Sequence, residues 1–379
     1  MTGCHVMAKP GSSRCNLNCR YCFYLDKPQQ PVMSDDTLTA FICQHIEAQP
    51  GDEVQFAWQG GEPTLCGLDF FRRVVALQQQ HAQGKRIYNS FQTNGILITD
   101  EWCRFFKEHG WLVGISLDGP PELHDVHRVS RSGNPTQHKV LQAITALKAH
   151  GVEFNLLVVV SSHNSQHPQA LYRYLRGLGT PYLQFIPLLE MNDHQPDEYS
   201  VPAKSWGDFL CAVFDIWVRE DMGRVFVQLF DSTLGVWNGF SSQMCSLGKT
   251  CGHAFALESN GDLYQCDHYV YPSFRLGNLH KTTLSKLSDS EEARSFGQFK
   301  KSSLSEECQS CSVLKLCNGD CPKHRDASGK SALCEGYRTF FLYSEPYMKV
   351  MRDLIRQRRS PMELMMMLRQ QNQDGQTGC

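Results

Sequence analysis

The residues with most chemistry to offer in this chain are its cysteines, 17 among 379 residues. Persistent disulfides are rare in the cytosol, so clustered cysteines there point to metal or redox chemistry. Cys15, Cys19 and Cys22 are spaced C-x3-C-x2-C. Cys245, Cys251 and Cys266 form a second group, and Cys308, Cys311, Cys317, Cys321 and Cys334 a third. Three thiols so close in sequence make no strain-free disulfide set. A structural zinc site takes four protein ligands, and His5 is the one histidine near the first group. Three thiolates suit a four-iron, four-sulfur cluster whose fourth iron is left open to a small molecule; zinc on a loop is the competing reading. Tyr21, Phe23 and Tyr24 around Cys22 would shield such a cluster from water. Cys43, Cys103 and Cys211 read as small buried hydrophobes, and Cys4 and Cys379 as incidental.

The elements that must hold these residues alternate along the chain. Periodicity predicts strands at 6–8, 53–58, 87–92, 112–117, 153–160 and 183–187. Helices fall between them at 35–48, 68–80, 101–109, 136–149, 168–178 and 205–220. Ser34 offers an N-cap to the first helix, with Asp35 and Asp36 in its first turn. Six βα units imply a parallel sheet with right-handed crossovers, either a partial barrel or an open doubly wound sheet. In both, the active face lies at the carboxyl ends of the strands. The cysteine loop, the Gly60-Gly61-Glu62-Pro63 turn, Asn94, Ser116 and Asp118 all follow strand ends. After residue 224 the alternation stops and cysteines become dense, which reads as a metal-stapled domain of about 100 residues. The tail over 338–371 reads as helical, and its Met-rich run at 362–368 as helix packing.

Composition sets bounds. Apolar residues at 41% and charged residues at 20% permit a sizeable core. Lys+Arg of 37 against Asp+Glu of 39 gives net −2, which disfavours a nucleic-acid binder. No apolar run approaches the ~18 residues of a membrane span, and 1–14 lacks the apolar centre of a signal peptide. The expectation is a cytoplasmic protein with no membrane or nucleic-acid partner.

Two motifs resemble a known superfamily. Cys15-Asn16-Leu17-Asn18-Cys19-Arg20-Tyr21-Cys22 resembles the cluster loop of the radical S-adenosylmethionine enzymes. Gln59-Gly60-Gly61-Glu62-Pro63 resembles their glycine-rich motif, which contacts the methionine amino group. The resemblance implies S-adenosylmethionine chelated to the open iron and cleaved reductively to a 5′-deoxyadenosyl radical. The glycines would let backbone carbonyls approach the ammonium closely. Tyr24, Gln59, Gly60, Gly61, Glu62, Asn94, Ser116, Asp118 and Arg128 become the candidate cofactor pocket.

The later cysteines, Cys251-x9-Gly261-x4-Cys266 and Cys308-x2-Cys311-x5-Cys317-x3-Cys321 followed by Cys334, resemble the SPASM pattern. That resemblance implies one cluster on Cys245, Cys251, Cys266 and Cys321 and another on Cys308, Cys311, Cys317 and Cys334, three 4Fe-4S clusters in all. Full cysteine ligation leaves no open iron, so the two auxiliary clusters would carry electrons; a pair of structural zinc sites is the alternative. The implied fold is α/β, a partial (β/α)6 barrel over 1–223, a cluster-stapled SPASM domain over 224–337, and a helical tail over 338–379.

Phe23-Tyr24-Leu25, Gln92-Thr93-Asn94-Gly95, Ser116-Leu117-Asp118-Gly119-Pro120, His124-Asp125 with Arg128, and Cys266-Asp267-His268-Tyr269 resemble one group within these proteins, the anaerobic sulfatase-maturating enzymes. By that resemblance the adenosyl radical takes hydrogen from the Cβ of a sulfatase Cys or Ser, and a base takes the thiol or hydroxyl proton. A second electron leaves through the auxiliary clusters, and Cα-formylglycine results. Asp267 is the candidate base: Cys266 pins its backbone, and burial would raise its pKa. His268 and Tyr269 stand behind it. The implied partners are an unfolded sulfatase polypeptide and a flavodoxin- or ferredoxin-type electron donor. Competing readings are a SPASM maturase forming thioether or carbon–carbon crosslinks in a small peptide, and a non-enzymatic electron carrier or zinc-stapled binding protein.

Overall fold

The computed structural model describes residues 3–192, 195–252 and 254–376; Cys379 lies outside them. In chain order the elements begin with β1 (His5–Lys9), α1 (Asp35–Ala48), β2 (Glu53–Trp58), α2 (Leu68–His81), β3 (Arg86–Thr93), α3 (Asp100–Glu108), β4 (Leu112–Ser116), the short α4 (Pro121–His124) and α5 (Gln137–Ala149). Next come β5 (Phe154–Val160), α6 (Pro168–Arg176), β6 (Tyr182–Pro187), the hairpin of β7 (Met191–Asn192) and β8 (Gln195–Pro196), α7 (Ala203–Ile216), β9 (Phe226–Val227) and α8 (Gln228–Trp237). The remainder holds β10 (Ala254–Glu258), β11 (Asp262–Tyr264), β12 (Arg275–Asn278), α9 (Leu284–Ser288), α10 (Glu291–Ser302), α11 (Glu306–Gln309), α12 (Leu314–Cys317), α13 (Cys334–Arg356) and α14 (Glu363–Gln376).

All twelve elements expected over 6–220 are present, with ends displaced by four residues at most. The largest displacement has a local cause: α7 stops at Ile216 and the chain continues as a π-helical turn, Trp217–Asp221. Ser34 caps α1 as expected, its hydroxyl accepting from the Thr37 amide at 3.2 Å. The class is α/β with a parallel core, and the sheet is open rather than closed.

Two compact units divide the chain. The first comprises Met1–Leu117, His124–Asn155 and Cys251–Phe299. Its strands run in the order β12-β11-β10-β1-β2-β3-β4. Strand β1 pairs in parallel with β2 on one side and with β10 on the other, in the register Lys9 to Glu258. The β1–β10 pairing was not foreseen from sequence. An aromatic core of Phe41, Phe56, Trp58, Phe71, Phe91, Trp102, Phe106 and Trp111 lies behind this sheet. The Trp58 and Trp111 rings stack 6.5 Å apart at 12°, which ties the end of β2 to the turn between α3 and β4.

The second unit comprises Asp118–Leu123, Leu156–Thr250 and Lys300–Cys379. In it β6 pairs in parallel with both β5 and β9. Helices α7 and α13 cross at two glycines. A Cβ on Gly207 would lie 2.9 Å from the Gly336 Cα, and one on Gly336 would lie 2.2 Å from the Ala203 carbonyl oxygen. Only glycine permits this approach, and it anchors the helix that begins at Cys334. The tail forms two helices, α13 and α14, with Arg358 left-handed at the break. Among the described residues no helix is long and apolar enough to cross a membrane.

Candidate active site

The cysteine loop leaves the carboxyl end of β1 and is held from three sides. Segment 127–131 straps it. The Asn18 amide donates to the Val129 carbonyl at 2.9 Å, the Arg20 amide to the His127 carbonyl at 3.0 Å, and Arg131 Nε to the Cys15 carbonyl at 2.7 Å. Leu17 bridges Ser130. The Arg128 guanidinium sits 5.5 Å from the Tyr21 ring centre. The Cys22 amide turns back to the Cys19 carbonyl at 3.1 Å. Burial, countered in part by hydrogen bonds such as that from the Leu17 amide, pushes the Cys15 thiol up to about 11. Loading iron on this loop must therefore displace protons.

The glycine-rich turn braces the same loop. Gly61 and Glu62 donate backbone bonds of 2.7 Å to the Ser12 and Arg14 carbonyls. A Cβ on Gly61 would sit 2.1 Å from the Arg14 oxygen. These glycines thus admit the backbone of the cysteine loop itself. Glu62 is fully buried. It accepts from the Thr64 amide and hydroxyl, the Thr93 hydroxyl and the Asn94 amide at 2.7–3.0 Å, so its carboxylate ties β2 to β3. Burial lifts that carboxyl above its ordinary value, although those donors pull the other way. Asn94 Nδ2 donates to Asn16 Oδ1 at 2.8 Å and lies 3.8 Å from Cys15 Sγ. Gln59 Oε1 is buried with no hydrogen-bond partner among the described residues. Ser116 closes β4 and is buried. In the second unit Asp118 is buried and accepts from the Val159 amide at 2.9 Å, which secures β5.

A group of buried charges lies at the carboxyl ends of β1 and β10. Lys9 is 1% exposed, and its ammonium is 2.5 Å from Asp267 Oδ1. The same ammonium lies 4.1 Å above the ring centre of Tyr24, whose hydroxyl donates to Glu258. Asp267 opens a short turn directly after Cys266. The structure reverses the expected direction of its titration. Burial alone would lift the carboxyl, but the Lys9 ammonium and His268 outweigh burial and hold it below the ordinary carboxylate value. His268 packs on Phe23, with ring centres 5.6 Å apart; Tyr269 turns to Phe274 and Phe296 at 4.7 and 5.2 Å. Lys9 and Glu258 were missed from sequence. The available signal was a charged residue closing an apolar strand.

The last cysteine group surrounds a cavity of about 280 Å³ within the second unit. Cys308, Cys311, Cys317 and Cys334 line it with Val313 and Leu314. Ser305 caps the turn carrying Cys308 at 3.2 Å, and a left-handed run, Asn318, Gly319 and Asp320, turns the chain after Cys317. Asp320 accepts from Ser331 at 2.8 Å and pairs with His324 at 2.8 Å. Four thiols around a partly apolar hollow of this size fit a fully ligated iron–sulfur cluster, and the three thiols of the first loop fit one with an open iron. Of the remaining candidates, Cys251 and Cys266 belong to the first unit and Cys245 and Cys321 to the second. The Cys251 amide donates to the Gly297 carbonyl at 3.1 Å, and Lys300 holds the Cys245 carbonyl at 3.0 Å.

Comparison with known proteins agrees with this arrangement. Residues 10–175 match the radical SAM superfamily, and residues 245–312 match an iron–sulfur cluster-binding domain. The chain is 41% identical over 393 residues to a serine-type anaerobic sulfatase-maturating enzyme of Bacteroides thetaiotaomicron, covering 96% of this chain and 95% of that protein. It is 36% identical over 359 residues to a cysteine-type anaerobic sulfatase-maturating enzyme of Clostridium perfringens, covering 90% and 96%. The solved structure of anSMEcpe with bound AdoMet and the Cp18Cys peptide superposes with a TM-score of 0.87 at 35% identity, covering 93% of this chain and 99% of that one. With its three-cysteine loop, its parallel α/β core and its later cysteine set, this chain belongs to the anaerobic sulfatase-maturating enzymes of the radical SAM superfamily.

Proposed function

We propose that the chain oxidises a Cys or Ser of a sulfatase polypeptide to Cα-formylglycine. The observation that carries this reading is a continuous contact path in the first unit. Tyr24, two residues past Cys22, lies under the Lys9 ammonium at 4.1 Å, and that ammonium reaches Asp267 at 2.5 Å. The loop suited to starting a radical reaction and a carboxylate suited to taking a proton therefore share one site.

In this reading Cys15, Cys19 and Cys22 hold the first 4Fe-4S cluster. Cys308, Cys311, Cys317 and Cys334 hold another within the second unit, and the resemblance to the SPASM pattern implies a third. Bound together, the first cluster and S-adenosylmethionine supply a hydrogen-abstracting 5′-deoxyadenosyl group. The chain's own residues do the rest. Gln59 Oε1, buried and without a hydrogen-bond partner among the described residues, would accept from the methionine ammonium. Glu62 acts at one remove: its carboxylate is filled by protein donors and keeps Asn94 against the cysteine loop. Gly60, Gly61, Ser116 and Arg128, all in the first unit, complete the pocket. Asp267 takes the proton from the substrate thiol or hydroxyl onto its carboxylate, which Lys9 keeps ionised. Tyr21, Phe23 and Tyr24 keep water out. The clusters on the later cysteines would take up the electron that the substrate gives away, and a flavodoxin- or ferredoxin-type donor in the cytoplasm would reduce the first cluster. We further assign 1–223, 224–337 and 338–379 as the catalytic, SPASM and tail regions.

The test is an anaerobic assay of the iron-loaded protein with dithionite, S-adenosylmethionine and two sulfatase-motif peptides, one with Cys and one with Ser. The expected product is a hydrazine-reactive aldehyde: the Cys peptide exchanges sulfur for oxygen and loses two hydrogens, and the Ser peptide loses two hydrogens. Formation of 5′-deoxyadenosine with both peptides unchanged would contradict the substrate assignment.

A further inference from the structure

We infer that Lys9 is the positioning residue of the reaction, the group that aims the Asp267 carboxylate. The inference rests on the proposed role of Asp267 and extends it to a residue outside every motif. Asp267 itself stands on a three-residue turn, Asp267–Tyr269, that follows Cys266. Such a turn is a poor platform for a group that must be placed within a fraction of an ångström. Lys9 is rooted differently. It ends β1, where the backbone is paired in parallel with β10 in the register Lys9 to Glu258 and where the Gln59 amide holds the neighbouring Ala8 carbonyl at 2.9 Å. Its stem is buried, and its ammonium is confined between the Tyr24 ring, 4.1 Å away, and Asp267 Oδ1, 2.5 Å away. Tyr24 is fixed in turn by its hydroxyl bond to Glu258, the cross-strand neighbour of Lys9. The carboxylate is thus steered from a rigid strand end through one ion pair. Stability alone does not call for this arrangement, because well-packed apolar residues serve as well or better at buried ion pairs.

The test compares the iron-loaded wild type with Lys9→Met, Lys9→Gln, Asp267→Asn and the Lys9→Met/Asp267→Asn double variant. Three quantities are read: aldehyde formed per 5′-deoxyadenosine, the separate changes in kcat and KM for the peptide, and iron content with the melting temperature. Misplacing the carboxylate should lower kcat for aldehyde about 10²-fold, with kcat falling much further than KM rises. Aldehyde per 5′-deoxyadenosine should fall with it. Because Lys9 acts through Asp267, the double variant should be within about threefold of Asp267→Asn alone. Multiplying losses in the double variant would overturn the inference. So would a Lys9→Met variant that keeps full iron and loses aldehyde and 5′-deoxyadenosine by one factor, their ratio unchanged. Should Lys9→Met fail to load iron, Lys9→Gln decides: lower coupling at full iron supports the inference, and unchanged coupling overturns it. An Asp267→Asn variant with full aldehyde formation would remove the base assignment itself. An impaired Asp267→Asn beside an unimpaired Lys9→Met would overturn the role of Lys9 alone.

Discussion

Two cysteine-rich regions of this chain, each contained in a single unit, differ in donor number and in surroundings. The first offers three thiols, and polar groups crowd it: Asn94 beside Cys15, Arg128 beside Tyr21, and the Lys9–Asp267 pair beyond Tyr24. The second offers four thiols around a hollow lined in part by Val313 and Leu314, with two ion pairs at its edge, Asp320–His324 and Glu307–Lys330. A site short of one ligand and rich in oriented polar groups is built to bind and convert a small molecule. A site with its full ligand set and an apolar wall is built to hold a charge in a fixed environment. On the proposed function, the count of thiols is what separates the site for radical chemistry from a site that carries electrons.

Removing one thiol from each site should have opposite consequences. Cys22→Ala should abolish 5′-deoxyadenosine formation, by at least about 10³-fold, since losing a first ligand exceeds the 10–100-fold effect of disturbing an outer one. Cys317→Ala should cut iron content by about a third and suppress aldehyde, yet leave measurable cleavage of S-adenosylmethionine. Equal loss of cleavage in the two variants, measured by chromatography of 5′-deoxyadenosine, would erase the distinction between the sites.

Glycines sharpen the contrast at the level of stability. Gly61→Ala drives a Cβ into the Arg14 carbonyl of the cysteine loop and should cost about 3 kcal/mol by denaturant unfolding. Gly235→Ala, in α8 of the second unit, meets nothing within 4 Å and should gain about 0.5–1 kcal/mol. The braced loop tolerates no added atom, whereas the helix gains from one.

Buried charge is also handled differently. The first unit pairs Lys9 with Asp267, while in the second unit burial alone pushes the Asp231 carboxyl up to about 7. Asp231 therefore stays protonated in the folded state at pH values where the unfolded chain has already released the proton. Stability is present at low pH and is lost as pH rises from about 4 through about 7. Asp231→Asn should match wild type at about pH 4 and exceed it by about 2 kcal/mol at about pH 8. A constant difference across that range, followed by thermal unfolding, would remove the titration.

Much of this was legible in the sequence because it is local. The Ser34 cap, the alternation over 6–220 and the turn after β2 are set by neighbours a few residues apart. The spacing of Cys308, Cys311 and Cys317 also anticipates their shared cavity. What escaped is non-local. Lys9 reads as an ordinary solvated lysine until β10, some 245 residues later, places Glu258 beside it. The strap over 127–131 is made mostly of backbone bonds, which no side-chain pattern betrays. The direction of the Asp267 shift failed for the same reason: burial was foreseen, but its partner was not.

The most direct test uses a substrate peptide carrying deuterium on the Cβ of its target Cys or Ser, turned over by wild type and by Asp267→Asn. Deuterium should appear in 5′-deoxyadenosine with wild type, in step with aldehyde, and aldehyde should fall about 10²–10⁴-fold in the variant. Aldehyde without deuterium transfer, or aldehyde formed at the wild-type rate by Asp267→Asn, would contradict the assignment of this site.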